Sequence, residues 1–180
     1  MIEVRLRTMR ILWAALIGSV GMLGVMLHVI GAPAERGAMP PHMDVMLGAF
    51  SVGVGIMSLA FPARLFAMTV RNAKLDIESR PGEARPERGD VRQPLPTDRV
   101  FVDPELARGR AMGLWQQPLL IGMALAESIA LMGFMLGFVG ESMPVASAFF
   151  VAALVLMLLR YPRLSAIERA LEQAANARLG

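Results

Sequence analysis

Long apolar runs alternate with charged stretches along this chain. Four runs carry almost no formal charge and lie at 11–31, 45–61, 112–139 and 143–159. A bilayer core about 30 Å thick is crossed by roughly 20 helical residues, and membrane-spanning strands would alternate apolar and polar residues, which these runs do not. The pattern predicts an all-α membrane protein with four transmembrane helices, a long cytoplasmic loop and a C-terminal amphipathic helix.

The positive charges predict the orientation of these spans. Seventeen of the eighteen Lys and Arg fall in three segments, 1–10, 62–111 and 160–180, which four spans place on one side of the membrane. Cytoplasmic segments are rich in Lys and Arg, so both termini and the long loop are expected in the cytoplasm. Arg36 is the one cation on the other side. The external segments are then 32–44 and 140–142.

Composition narrows the class of protein. Residues of the hydrophobic set make up 55% of the chain and charged residues only 18%, which excludes an ordinary soluble enzyme with one large core. The absence of cysteine excludes disulfides and thiolate chemistry. No basic patch is interleaved with stacking aromatics, so nucleic acid is not an expected partner. No convergent nucleophile and base or cofactor motif appears, and neither an enzyme, a cofactor nor a metal site is expected.

The expected surroundings are a lipid bilayer and other membrane subunits or copies of the chain. An Arg-rich composition with a single Lys is typical of a high-GC bacterium and favours the cell inner membrane. Cleavage of the first span as a signal peptide at the Ala32-Pro33-Ala34 sequence is the lesser alternative, because the apolar run is longer than usual signal peptides have.

The polar segments predict a linker, a helix start and a surface helix. Ser79–Pro96 holds four prolines and hardly an apolar residue, which favours a mobile linker over the alternative of a partner-docking surface. Asp103 followed by Pro104 predicts an N-cap and first helical residue. After Pro162, apolar residues at helical spacing predict an amphipathic helix on the membrane surface, or a partner-binding helix. These residues are Leu164, Ile167, Leu171 and Ala174.

Small residues predict where helices pack. The pairs Ala126–Ala130 and Gly133–Gly137 are each four residues apart, so each pair lies on one helix face. In lipid, small residues let two backbones approach closely. Packing within the chain and packing between copies both remain open at this level.

Glu127 is the one ionisable acid inside a span. Near the middle of 112–139, an ionised carboxyl costs about 2.5–3.5 kcal/mol on insertion scales. No Lys or Arg lies within a predicted span, so we expect a protonated carboxyl that shares its proton with a backbone carbonyl or a hydroxyl. Ser128 is adjacent, and Ser51 and Ser58 bracket the same depth on the second span. The acid is then either interhelical hydrogen-bonding glue or a reversible proton or cation site.

A local resemblance favours the second interpretation. Leu120–Leu131, LIGMALAESIAL, resembles the carboxylate-bearing helix of subunit c, the proteolipid of rotary ATP synthases, and LGAFSVGVG on the second span resembles its glycine-rich partner helix. The resemblance implies that Glu127 is the ion-carrying acid and that the chain works in an oligomer. The second span lacks the Gln of sodium-binding members, which favours a proton. The expected ion-binding residues are Glu127, Ser128, Ser58, Gly53 and Gly55.

Two functions follow from these predictions. The first is a subunit-c-like membrane protein whose acid reversibly binds a proton within an oligomeric assembly. The alternative is a non-transporting scaffold or accessory subunit, in which the acid is a structural hydrogen bond and the loop and tail recruit partners. Unlike subunit c, the chain separates its two relevant helices by the whole 62–111 segment and adds a span on either side.

Overall fold

Within the residues that the structure describes, the fold consists of five α-helices and one β-hairpin. The computed structural model describes residues 2–30, 42–73, 75–81, 97–140 and 142–179. In chain order the elements are α1 (Ile2–Ile30), α2 (Met43–Asn72), β1 (Ile77–Pro81), β2 (Thr97–Phe101), α3 (Pro104–Val139), α4 (Met143–Leu159) and α5 (Leu164–Ala175). Outside the described residues lie all but the last three residues of the predicted external loop 32–44, with Arg36 and the Ala32-Pro33-Ala34 sequence.

Among the described helices, α1, α2 and α3 are long and apolar enough to cross a membrane. Helix α4 has 17 residues, which gives a length of about 26 Å at 1.5 Å per residue. Counted with α5, from which it is separated by a 73° bend, α4 provides a fourth candidate span. The helical fold is thus confirmed, and helix length and hydropathy give three or four candidate membrane spans where the sequence predicted four.

Helix α3 is the centre of the bundle, because α1, α2 and α4 all pack against it. Helices α1 and α3 run parallel, since Arg5 near the start of α1 donates to the Gly109 carbonyl near the start of α3 at 3.0 Å. The short connection at 140–142 makes α3 and α4 antiparallel. Helices α1 and α2 do not pack extensively against one another in the described ranges, so the bundle is open along one side of α3.

The predicted small-residue face packs within the chain. A Cβ on Gly133 would lie 2.6 Å from the Phe149 Cβ and 2.8 Å from the Ala146 carbonyl oxygen of α4. A Cβ on Gly137 would lie 2.5 Å from Leu27 Cδ2 of α1. Glycine at these two positions therefore sets the distance between α3 and its neighbours. By contrast, Gly18, Gly21 and Gly53 face open space.

The ends of α3 follow from local sequence. The Asp103 side chain accepts a hydrogen bond from the Leu106 backbone N–H at 2.9 Å, and Pro104 takes the first helical position, which confirms the predicted helix start. At the other end, Gly140 has a φ of 111°, the left-handed conformation in which glycine terminates helices.

The 62–111 segment contains more structure than the sequence predicted. Helix α2 continues past Pro62 to Asn72, although this proline cannot donate to the Ser58 carbonyl one turn earlier. Strands β1 and β2 then pair antiparallel, with Ile77 opposite Phe101. The hairpin takes in the first residues of the predicted Ser79–Pro96 linker, and 82–96 lie outside the described residues.

The C-terminal helix closes this end of the bundle. Helix α5 packs on α2 and α3 and buries Ile167 and Leu171. Its apolar face is therefore covered by the protein itself, whereas the sequence predicted that it lies on the membrane surface. Beyond α5, the Arg178 backbone bonds to Arg99 and Phe101 of β2. We call this end the basic end: it comprises the starts of α1 and α3, the end of α2, the hairpin, α5 and the C-terminal residues through 179.

Candidate functional site

The acid in the apolar part of α3, Glu127, has its described hydrogen-bond partner on α1. The Ser19 hydroxyl donates to Glu127 Oε1 at 2.6 Å. Both residues lie well inside long apolar helices, because Ser19 lies in α1 and Glu127 in α3. This hydrogen bond joins the two parallel helices near the middle of the bundle.

The serine stands between two acceptors. Its oxygen also lies 2.8 Å from the Leu16 carbonyl of its own helix, but a hydroxyl has only one proton to donate. Glu127 Oε1 and the Leu16 carbonyl oxygen therefore compete for that proton. The neutral carboxyl stays a prediction from the sequence.

Glu127 lies at the border of the open side of the bundle. Its side chain is half-buried, and Ala124 and Leu131, one turn to either side of it, are exposed. The carboxyl is therefore partly accessible at the surface of the described bundle, with Ser19 of α1 on one side of it. The exposed stripe of α3 that it borders consists of Gly113, Gln117, Leu120, Ala124, Leu131, Met135 and Phe138.

The other residues predicted to bind an ion have different surroundings from one another in the structure. The Ser128 hydroxyl donates to the Leu125 carbonyl of its own helix at 2.7 Å. The Ser58 hydroxyl is buried and has no hydrogen-bond partner among the described residues. A Cβ on Gly55 would lie 3.7 Å from Leu156 Cδ1 of α4 and 3.9 Å from Ile129 Cδ1 of α3, whereas Gly53 faces open space.

Sequence reasoning missed Ser19. The resemblance directed attention to the second span, where Ser51 bonds to the Met132 sulfur at 3.2 Å instead. A usable signal was present, since Ser19 is the one serine of α1 and lies close to the middle of the apolar run 11–31. A polar residue at the depth of a buried acid is a candidate partner on whichever span it occurs.

Sequence reasoning also missed a cation that packs against α3. Arg160 follows the last residue of α4, and its guanidinium is placed so that a Cβ on Gly122 would lie 2.5 Å from Arg160 Cζ. Gly122 is five residues before Glu127, which is about 7.5 Å along a helix. Arg160 lies outside the predicted fourth span, as the sequence analysis assigned it, but its guanidinium packs back against α3.

Arg160 has unusual surroundings for a cation. The side chain is half-buried, and its Nε has no hydrogen-bond partner among the described residues. Burial lowers the pKa of this guanidinium from its ordinary value, because a low-dielectric environment disfavours the charged form. A guanidinium nevertheless keeps its proton at neutral pH, so the basic end holds a charge that no described carboxylate offsets.

By helix length and hydropathy the chain is a candidate multi-pass helical membrane protein, with ionisable groups on or against its central helix. A scan against protein-family models, a search of curated proteins and a search of solved structures each returned no match to this chain. The similarity to subunit c therefore remains a prediction from local sequence.

Proposed function

We propose that this protein binds and releases a proton at Glu127 within an oligomeric membrane assembly. The observation that carries the proposal is the 2.6 Å contact between Ser19 and Glu127 at the border of the open side of the bundle. A carboxyl with one hydroxyl partner and a half-exposed side chain is held in place and still accessible. A second copy or another subunit covering the exposed stripe of α3 would complete the site.

The proposed orientation places the basic end in the cytoplasm of a bacterial inner-membrane protein. Lys and Arg are enriched in cytoplasmic segments, and the described arginines gather at this end of the bundle. These arginines are Arg5, Arg7 and Arg10 on α1, Arg64 and Arg71 on α2, Arg80 on β1, Arg99 on β2, Arg108 and Arg110 on α3, Arg160 after α4, and Arg163, Arg169 and Arg178 around α5.

The second candidate function is a scaffold in which Glu127 joins α1 to α3 as a structural hydrogen bond. The folded basic end favours it, because α5 and the C-terminal residues pack on the helices and the hairpin and provide an ordered surface for partners. This candidate assigns no proton exchange to Glu127.

Carbodiimide labelling separates the two candidates. The full-length protein is reconstituted in liposomes, treated with a membrane-permeant carbodiimide at a series of pH values, and digested for mass spectrometry. Proton exchange predicts that Glu127 is labelled and that labelling fades as rising pH removes the proton. Glu105, whose side chain is 74% exposed at the basic end, serves as the reactive control with a water-soluble carbodiimide.

The opposite outcome is equally clear. If Glu127 stays unlabelled at every pH while Glu105 reacts, the carboxyl does not exchange with its surroundings, and the scaffold function replaces the proposal. Glu127→Gln then leaves assembly and partner recruitment intact.

A further inference from the structure

A cavity of about 270 Å³ lies between α2, the first half of α3 and the joint between α4 and α5. We call it the basic-end cavity. Part of its wall is apolar, with Leu59 from α2 and Leu119 from α3, and part is aromatic, with Trp115 and Tyr161. Trp and Tyr are enriched where a membrane meets water, and both residue types line this cavity.

The charged residues that line the cavity are all positive. Arg160 and Arg163 both line the cavity, and no carboxylate is among its lining residues. Arg160 Nε is buried without a hydrogen-bond partner among the described residues. The guanidinium lies close against Gly122 of α3, so in this structure it forms part of the cavity wall.

Two other cations at this end have partners within the protein. Arg108 binds Glu168 at 2.8 Å and Glu105 at 3.1 Å. Arg10 lies over the Tyr161 ring, with its Cζ 5.5 Å from the ring centroid. Arg160 and Arg163 have neither kind of partner among the described residues. Arg160 is half-buried, and a buried cation is destabilising when nothing pairs with it, so an anion beside it would be stabilising.

We infer that the basic-end cavity binds the phosphate group of an anionic phospholipid, which the guanidinium groups of Arg160 and Arg163 contact. Guanidinium groups match the geometry of phosphate oxygens and bond to them in pairs. The source is a lipid, since the apolar wall around Leu59, Leu119 and Leu159 suits the glycerol and first methylene groups of a lipid and offers nothing to a soluble ion. Basic pockets between transmembrane helices bind such head groups.

The test measures lipid retention by the full-length protein. The protein is purified in a mild detergent, stripped of lipid, and titrated with phosphatidylglycerol or phosphatidylcholine while native mass spectrometry counts bound lipids. We expect one phosphatidylglycerol to bind about tenfold more tightly than phosphatidylcholine. Arg163→Gln and Arg160→Gln each weaken that preference several-fold, and Arg160→Lys restores only part of it.

Arg169→Gln is the matched control, because Arg169 is an exposed arginine of α5 outside the cavity. This substitution removes one positive charge, as Arg163→Gln does, and we expect it to leave the preference for phosphatidylglycerol unchanged. Arg163 is exposed, and its side chain bonds to none of the described residues, so its variant folds even if Arg160→Gln does not. Equal loss of the preference in Arg163→Gln and Arg169→Gln overturns the inference, since it would show general attraction to basic residues. The lipid assignment is overturned if inorganic phosphate at millimolar concentration displaces the lipid and also binds to the protein in its absence.

Discussion

The ionisable groups on the two faces of α3 differ in whether they have a hydrogen-bond partner. On the open face, Glu127 has a hydrogen-bond partner, Ser19, and remains half-exposed. On the packed face, Arg160 is held against Gly122 with its Nε unpartnered. An acid can become neutral by taking up a proton, whereas a guanidinium cannot lose its charge at neutral pH. The acid therefore needs only one hydroxyl, and the cation needs a counter-charge from outside the described protein.

The largest expected effect comes from adding a methyl group where α3 packs on α4. Gly133→Ala brings a Cβ to 2.8 Å from the Ala146 carbonyl oxygen, and a backbone atom in a packed interface has little room to move. We expect the free energy of unfolding to fall by about 1–3 kcal/mol, measured by denaturant titration in detergent. Gly18→Ala is the control, since its new methyl group meets open space. Equal effects of the two substitutions would show that α3 and α4 are not closely packed.

A smaller effect is expected at Gly122, where the same substitution meets a side chain. The atoms that crowd a new Cβ there belong to the guanidinium of Arg160, which can swing away by changing its rotamers. We expect Gly122→Ala to cost about 0.5–1.5 kcal/mol in the same titration. The variant should also bind less phosphatidylglycerol, because the guanidinium leaves the cavity wall. A cost as large as that of Gly133→Ala would mean that Arg160 cannot move.

Removing the hydroxyl on the open face is expected to weaken the bundle slightly. Ser19→Ala removes the α1–α3 hydrogen bond, and such bonds within membranes contribute about 0.6 kcal/mol on average. The freed carboxyl should also react faster with carbodiimide. Ser128→Ala is the matched control, because its hydroxyl bonds only to the Leu125 carbonyl in the described structure. If Ser128→Ala accelerates labelling as much as Ser19→Ala, Ser19 is not the partner of the acid.

The smallest effect is expected from removing the carboxylate partner of Arg108. Glu168→Gln breaks the Arg108–Glu168 ion pair between α3 and α5, and pairs near a protein surface contribute about 0–1 kcal/mol. The loss should shrink further in high salt, which screens such pairs. A thermal melt of the variant at low and at high ionic strength measures both. A loss that grows with salt contradicts a screened ion pair.

The hairpin and α5 show why the packing of the basic end could not be predicted from the sequence. Strands β1 and β2 have five residues each, and Pro81 and Arg99 give them little apolar alternation. Their pairing is stabilised by contacts far along the chain, including the backbone bonds of Arg178 to β2. Similarly, the apolar stripe of α5 is visible in the sequence, but nothing local decides whether lipid or protein covers Ile167 and Leu171.

The sequence by itself determined the apolar helices, the start of α3 at Asp103 and Pro104, and the presence of an acid near the middle of a span. These features depend on hydrophobicity, capping and helix length, which are local properties of neighbouring residues. Only the tertiary structure decided that Ser19 meets Glu127 and that Arg160 packs on Gly122. Both contacts depend on the relative position of helices along their axes, which is set by how side chains and glycines interlock across the whole bundle.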